Sequence, residues 1–233
     1  MYHILKRREH SLTQEHSSFT PSVYTRRMGI LGGTFDPVHY GHLVIAEEVR
    51  VALDLTEVIF IPAGHPPHKL SRAITPASHR VTMLELALAS NPYFSCSRIE
   101  VERDGPSYTV DTLRTLRQQE GAGTALFFII GWDSLTELHT WHEAPALLTT
   151  LTHLVAVQRP GYEDDEQNEA QNDYMKQLEV QLPGLLQRLV IVPAPQLDIS
   201  ATGLRARVLH GKPILYQTPE PVEAYIKKYK LYR

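Results

Sequence analysis

Apolar residues in this chain fall into short unbroken runs, and amphipathic stretches separate them from Met28 almost to the end. Gly29–Leu31, Glu57–Pro62 (EVIFIP), Ala125–Ile130 (ALFFII), His153–Val157 and Leu189–Val192 are apolar without alternation, as strands covered on both faces must be. A shorter strand falls within Tyr93–Val101, between Pro92 and Asp104-Gly105. Helical spacing fills the intervals. Val44, Ile45, Ala46 and Val49 mark a helix over Gly41–Leu53, and Val81, Leu84 and Leu88 mark one over Pro76–Ser90. Further helices are predicted at Val110–Gln119, Pro145–Thr149, Tyr174–Leu182, Gly203–Leu209 and Pro219–Lys228. The entry to the first helix has two readings: Asp36 caps it with Pro37 in the first turn, or the turn runs on to Gly41. Strand and helix alternate throughout, which predicts an α/β fold: one doubly wound parallel sheet with right-handed crossovers, over residues 28–233.

Composition adds limits to this picture. The chain has 233 residues, 42% hydrophobic and 21% charged, enough to bury a full core. A formal charge of −3 gives no general footing for nucleic acid, so none is expected as a partner. No apolar run approaches the roughly 18 residues of a membrane span. Cys96 is the single cysteine, which excludes an intrachain disulfide and a cysteine-rich zinc site and suits a reducing cytoplasm. Residues 1–27 differ from the rest: Lys6, Arg7, Arg8, Arg26 and Arg27 stand against only Glu9 and Glu15, among many Ser and Thr. They lack the apolar core of a secretory signal and read as a disordered extension. Glu163–Asp173 holds six acids and no base and reads as a solvated loop.

Candidate chemistry gathers where strands are predicted to end, the edge of a parallel sheet at which ligands bind. The first strand runs into Gly32 and Gly33, then a short polar link carries His39 and His42 into a helix. Backbone amides at such a turn and the helix N-terminus favour phosphate, and two imidazoles beside it can be neutral or cationic near neutral pH. No G-x-G-x-x-G and no G-x-x-x-x-G-K-[ST] is present, against a dehydrogenase or P-loop chemistry. Asp198–Arg205 (DISATGLR) brings Ser200, Thr202 and Arg205 to a second helix start. Read alone, Ser200 or Thr202 would simply cap that helix. Loops follow two other strands, at Ile61–Lys69 (IPAGHPPHK) and Gly131–Trp141 (GWDSLTELHTW), and Ser107–Leu113 (SYTVDTL) opens a helix.

GGTFDPVHYGH resembles the H-x-G-H signature of nucleotidyltransferases, and DISATGLR resembles their I-S-S-T-x-[IL]-R element, with Ala201 in place of the second serine. With the three further stretches and the closing Tyr216–Tyr232, the chain from Met28 onward is similar to the bacterial nicotinate-nucleotide adenylyltransferases. The resemblance implies a Rossmann-like nucleotidyltransferase domain. It implies that ATP and nicotinate mononucleotide give nicotinate adenine dinucleotide and pyrophosphate, with Mg²⁺ accompanying ATP and no metal site of the protein's own. It assigns His39, His42 and Arg205 to the chemistry. Gly32, Gly33, Thr34, Phe35, His39, His42, Asp133, Ser200, Thr202 and Arg205 would hold ATP. Lys69, Tyr108, Thr109, Trp141 and His142 would hold the mononucleotide, Trp141 by stacking and Thr109 and His142 through amides or hydroxyl. Two alternatives stay open: a sister enzyme with another acceptor (nicotinamide mononucleotide or phosphopantetheine), and a nucleotide sensor without catalysis.

Overall fold

A computed structural model describes residues 3–4, 24–66, 74–158, 169–195 and 197–233. In chain order the elements are β1 (His3–Ile4), β2 (Arg26–Gly33), α1 (Tyr40–Ala52), β3 (Glu57–Pro62), α2 (Ala77–Leu88) and β4 (Phe94–Cys96). Then come α3 (Thr109–Glu120), β5 (Thr124–Gly131), α4 (Trp132–Glu137), a 3₁₀ turn (Leu138–Thr140), α5 (Ala144–Thr150) and β6 (His153–Gln158). The chain closes with α6 (Glu169–Gln181), α7 (Leu185–Arg188), β7 (Leu189–Pro193), α8 (Ala201–Leu209) and α9 (Glu220–Lys228). The sheet order is β1-β7-β6-β5-β2-β3-β4, and every pair is parallel. This is the doubly wound sheet the alternation predicts.

Side-chain alternation along each strand divides the core in two. On β5, Ala125, Phe127 and Ile129 face one core, while Leu126, Phe128 and Ile130 face the other. The first core packs α1, α2, α8 and α9 through residues such as Val49, Leu84, Leu204 and Val222. The second packs α3 to α7 through Leu113, Leu135, Leu147, Leu178 and Leu185. Fully burying each such side chain contributes about 1.5–3 kcal/mol. A strand sandwiched in this way has no solvent side, so its sequence shows no polar alternation.

Several boundaries move from their sequence positions. β2 starts at Arg26 rather than past Met28, because its polar entry is tied down: Arg26 pairs with Glu57 and Glu120, and Arg27 Nη2 donates to the Leu53 carbonyl at 2.8 Å. His3 and Ile4, inside the stretch expected to be an extension, pair with Val190 and Ile191 as an edge strand. Residues 5–23 lie outside the described residues. α6 begins at Glu169, inside the stretch read as an acidic loop, and residues 159–168 lie outside the described residues. The first helix is capped by His39, not Asp36. Asp36 is 6% exposed, and its carboxylate accepts instead from the Tyr232 hydroxyl at 2.7 Å and the Thr75 amide at 3.3 Å.

Beside Asp36 lies a buried cation, Arg80 on α2, at 1% exposure. Its guanidinium donates to the carbonyls of Thr75 and Thr34, both at 2.9 Å, with a longer contact of 3.5 Å to that of Gly64. Burial pulls its pKa down and the Asp36 charge opposes this. One side chain thus ties the turn after β2, the loop after β3 and the entry to α2. Arg80→Met leaves those carbonyls without their donor and Asp36 without the nearby cation. It should cost about 3–5 kcal/mol of stability, seen as a lower urea midpoint at unchanged slope. A loss under about 1 kcal/mol would show that the carbonyls find other partners.

Candidate active site

β2 and β5 are neighbours, and the strand order reverses between them. Their crossovers leave on opposite faces, so a crevice opens at their carboxyl ends. Three adjoining cavities occupy it. The largest, about 440 Å³, lies between Gly32, Gly33 and Thr34 after β2, Gly131 after β5, and Tyr108, Thr109, Trp141 and His142. The second, about 250 Å³, is lined by Thr34, Phe35, His42, Ser200, Thr202 and Arg205. The third, about 190 Å³, is lined by Gly41, Trp132, Asp133 and Gln158 among others. Thr34 and His42 face the first two, while Ile45 and Gly131 face the first and third. His42 therefore stands at a junction of one continuous cleft.

The two histidines are arranged unequally. His39 caps α1, and its backbone amide donates to His42 Nδ1 at 3.3 Å. A ring nitrogen that accepts carries no proton, so neutral His42 bears its proton on Nε2. The rings stack with centroids 3.7 Å apart, and Phe35 meets His42 edge-on at 5.0 Å. His39 itself is 7% exposed, lines none of the three cavities, and has a buried Nδ1 without a hydrogen-bond partner. Burial drives its pKa down to about 4, so it is neutral at physiological pH. Gly41 makes this stack fit: a Cβ there would stand 3.0 Å from His39 Nδ1. Gly33 serves the same cluster, since a Cβ on it would meet the Phe35 ring at 2.9 Å.

Facing His42, α8 begins with Ser200 as its cap, the Oγ accepting from the Gly203 amide at 3.1 Å. Thr202 Oγ1 accepts from Arg205 Nη2 at 2.8 Å, and the Asp36 carbonyl accepts from Nη1. The guanidinium is thus held at two points on the wall of the second cavity. Both hydroxyls that flank Ala201 help to build the clamp, one as cap and one as rest for the arginine. The arrangement, a cation beside a helix N-terminus and an imidazole N–H, suits a polyphosphate.

In the third cavity Asp133 sits in the first turn of α4, which starts directly after β5 where the sequence pattern reads as a loop. Gly131 takes the cap position, so Asp133 does not serve as the cap. In the first cavity Trp141 lies edge-on to Phe128 at 6.2 Å, and Tyr108 stacks on His142 at 4.1 Å. Lys69 lies outside the described residues. The other assigned residues are brought to the cleft, save His39, one ring behind it. Arg80 and Glu100 support the walls and go unmarked in the sequence, and Asp36, which the sequence marks only as a helix cap, supports them too. Each sits in an ordinary polar or amphipathic context, and only contacts distant in sequence give it a role.

A profile of the family described as cytidylyltransferase-like matches residues 30–207. A protein of Roseiflexus sp. (strain RS-1) described as a probable nicotinate-nucleotide adenylyltransferase is 49% identical over 206 residues, 88% of this chain and 98% of that protein. One of the same description from Thermomicrobium roseum is 46% identical over 207 residues, 89% of this chain and 92% of that protein. Among solved structures, the Plasmodium falciparum nicotinic acid mononucleotide adenylyltransferase complexed with NaAD superposes with a TM-score of 0.70 at 19% identity. It covers 89% of this chain and 97% of that one, which bears on the fold.

The depressed His39 pKa makes a signed prediction. The unfolded chain binds the His39 proton near pH 6.5 and the folded chain only near 4, so stability falls as pH drops through that window. The contribution lost is about 3 kcal/mol by pH 4. His39→Asn should flatten this part of the stability–pH curve, and an imidazole resonance of the native protein should titrate near 4. Titration of that resonance near 6.5 would refute the burial argument.

Proposed function

The chain belongs to the cytidylyltransferase-like family and, within it, to the nicotinate-nucleotide adenylyltransferases of NAD biosynthesis, and we propose from that premise how its cleft performs the transfer. ATP lies along the second and third cavities and nicotinate mononucleotide in the first. A phosphate oxygen of the mononucleotide attacks the α-phosphorus of ATP in line. The new P–O bond forms as the bond to the β-phosphate oxygen breaks, and pyrophosphate leaves with its electron pair. The attacking phosphate is already an anion, so the work is alignment and charge stabilisation rather than proton removal.

The carrying observation is His42 at the junction of the cavities with its Nδ1 engaged by the His39 amide. Its Nε2–H donates to the phosphate oxygens that gain charge in the transition state. Neutral His39 holds the partner ring in place by stacking. Arg205, fixed by Thr202 and the Asp36 carbonyl, receives the β- and γ-phosphates with the α8 N-terminus. Gly32, Gly33 and Thr34 bring main chain to the phosphates, with Phe35 acting through its packing on His42. Asp133 accepts from the ribose hydroxyls of ATP. Trp141 stacks on the pyridine ring, and the backbone at Thr109 and His142 receives its carboxylate, with Tyr108 as wall and Lys69 toward the mononucleotide phosphate.

Mg²⁺ enters with ATP. Among the described residues no three His, Cys, Asp or Glu side chains converge, and the Asp36 carboxylate already accepts from Tyr232 and Thr75. The ion would be held mostly by the triphosphate and its water, where it would neutralise phosphate charge. The reading places the reaction in the cytoplasm, where the single thiol, Cys96, stays reduced.

The direct test is pyrophosphate release from ATP with nicotinate mononucleotide and, separately, nicotinamide mononucleotide. Release should be fast with the acid and at least about tenfold slower with the amide, the worth of one charge-assisted hydrogen bond. Preference for the amide would overturn the acceptor, and ATP binding without release would favour a sensor. His42→Ala should lower kcat about 100-fold or more and leave the Kd for ATP within about threefold. Parallel loss of both would show that His42 holds the ground state only.

A further inference from the structure

The first cavity has a buried carboxylate on its wall that the transfer does not use. Glu100 is 8% exposed and lies in the segment between β4 and α3. It is joined to both sides of the cavity. Thr112 Oγ1, on α3, donates to Glu100 Oε1 at 2.7 Å and itself accepts from Arg103 Nη2 at 3.2 Å. On the other side, Ser107 Oγ accepts from the backbone amides of Gly64 and His65, both at 3.0 Å. Those two bonds fill the lone pairs of the hydroxyl, so its one proton must point elsewhere. The Glu100 carbonyl packs against Gly64 of that loop. The Ser107 amide returns a bond to the His65 carbonyl at 3.0 Å.

From this network we infer that Glu100 is the positioning residue of the acceptor pocket, fixing the loop after β3 and the first turn of α3 against each other so that Tyr108 and Thr109 meet the mononucleotide ring in one geometry. The inference rests on the reading of the first cavity as the mononucleotide site. Glu100 accepts the Thr112 hydroxyl proton, which requires a carboxylate oxygen. Burial pushes its pKa up, while Thr112, Arg103 and Ser107 favour the ionised form. Without the carboxylate, Thr112 loses its acceptor, and the segment that packs on the loop loses its tie to α3. Small shifts of that turn matter, because donors to a ligand carboxylate lose strength steeply with distance and angle. The triphosphate side shares none of these bonds: Arg205 is held by Thr202 and Asp36.

Steady-state pyrophosphate release by the full chain tests this, with wild type, Glu100→Ala, Glu100→Gln, Ser107→Ala and Trp141→Ala. Glu100→Ala should raise the KM for nicotinate mononucleotide about tenfold and leave the KM for ATP within about twofold. Glu100→Gln keeps one acceptor oxygen and should fall between it and wild type. Ser107→Ala removes the acceptor that holds the Gly64 and His65 amides beside Glu100, leaves Glu100 in place, and should raise the same KM in the same direction. It decides the matter if Glu100→Ala does not fold. Equal rises in both KM values, or no rise in any folded Glu100 or Ser107 variant, overturns the inference. Trp141→Ala separates the two levels. If it raises the mononucleotide KM while Glu100 and Ser107 variants do not, only the role of Glu100 is lost. If it too leaves that KM unchanged, the reading of the cavity fails and the inference with it.

Discussion

Everything in the cleft depends on β2 and β5 lying parallel and side by side while their crossovers leave on opposite faces of the sheet. A parallel pair cannot be closed by a hairpin, so each strand hands its chain to a helix on one face. Where neighbouring strands send their chains to opposite faces, no backbone fills the space between their ends. The same pairing explains why the strands carry so little polar information. Each is covered on both faces, and the side chains that these two strands bring to the cleft follow their ends: Thr34–His42 after β2, and Trp132–Asp133 after β5.

Such a crevice has soft walls unless something ties the loops together, and buried polar side chains do so. Arg80 links the turn after β2 with the loop after β3 and the start of α2. Asp36 takes the Tyr232 hydroxyl from the far end of the chain on its carboxylate, and offers its carbonyl to Arg205. Glu100 packs its carbonyl against the loop after β3 and holds α3 through Thr112. Each lies at 8% exposure or less, where an unmet hydrogen bond costs more than a satisfied one gains. The three groups therefore define loop geometry more sharply than surface contacts could.

The division between what was legible in the sequence and what was not follows from this. Glu57–Pro62 matches its predicted bounds, because a doubly covered strand is defined by its own composition. The strand order was out of reach in detail, although the alternation of elements implied the class. Helix entries were less legible, since they are decided by partners elsewhere. Asp36 has the right local chemistry to cap α1, yet Tyr232 and Thr75 claim its carboxylate, and the cap falls to His39. Arg80 reads as a solvent-facing residue of an amphipathic helix, and nothing nearby in sequence reports the three carbonyls it meets. The site motifs stood out for the opposite reason: they are polar clusters placed directly after apolar strands, where packing alone gives no account of them.

Two histidines three residues apart suggest equal partners, and the geometry makes them unequal. At 3.7 Å between ring centroids, two imidazolium ions would repel strongly in a dry site. Burial decides which ring stays neutral: His39, with a pKa near 4, has been taken out of solvent by the turn that Gly41 permits. Its backbone amide then fills His42 Nδ1 and leaves the proton on Nε2. His42 accordingly presents a donor to the cleft whether the imidazole is neutral or cationic. In the proposed mechanism that removes any need for a proton to be taken up before a charged phosphate can be stabilised, and it gives the glycine between the histidines a chemical consequence. A Cβ there would stand 3.0 Å from His39 Nδ1, so the stacked ring would have to give by a few tenths of an ångström.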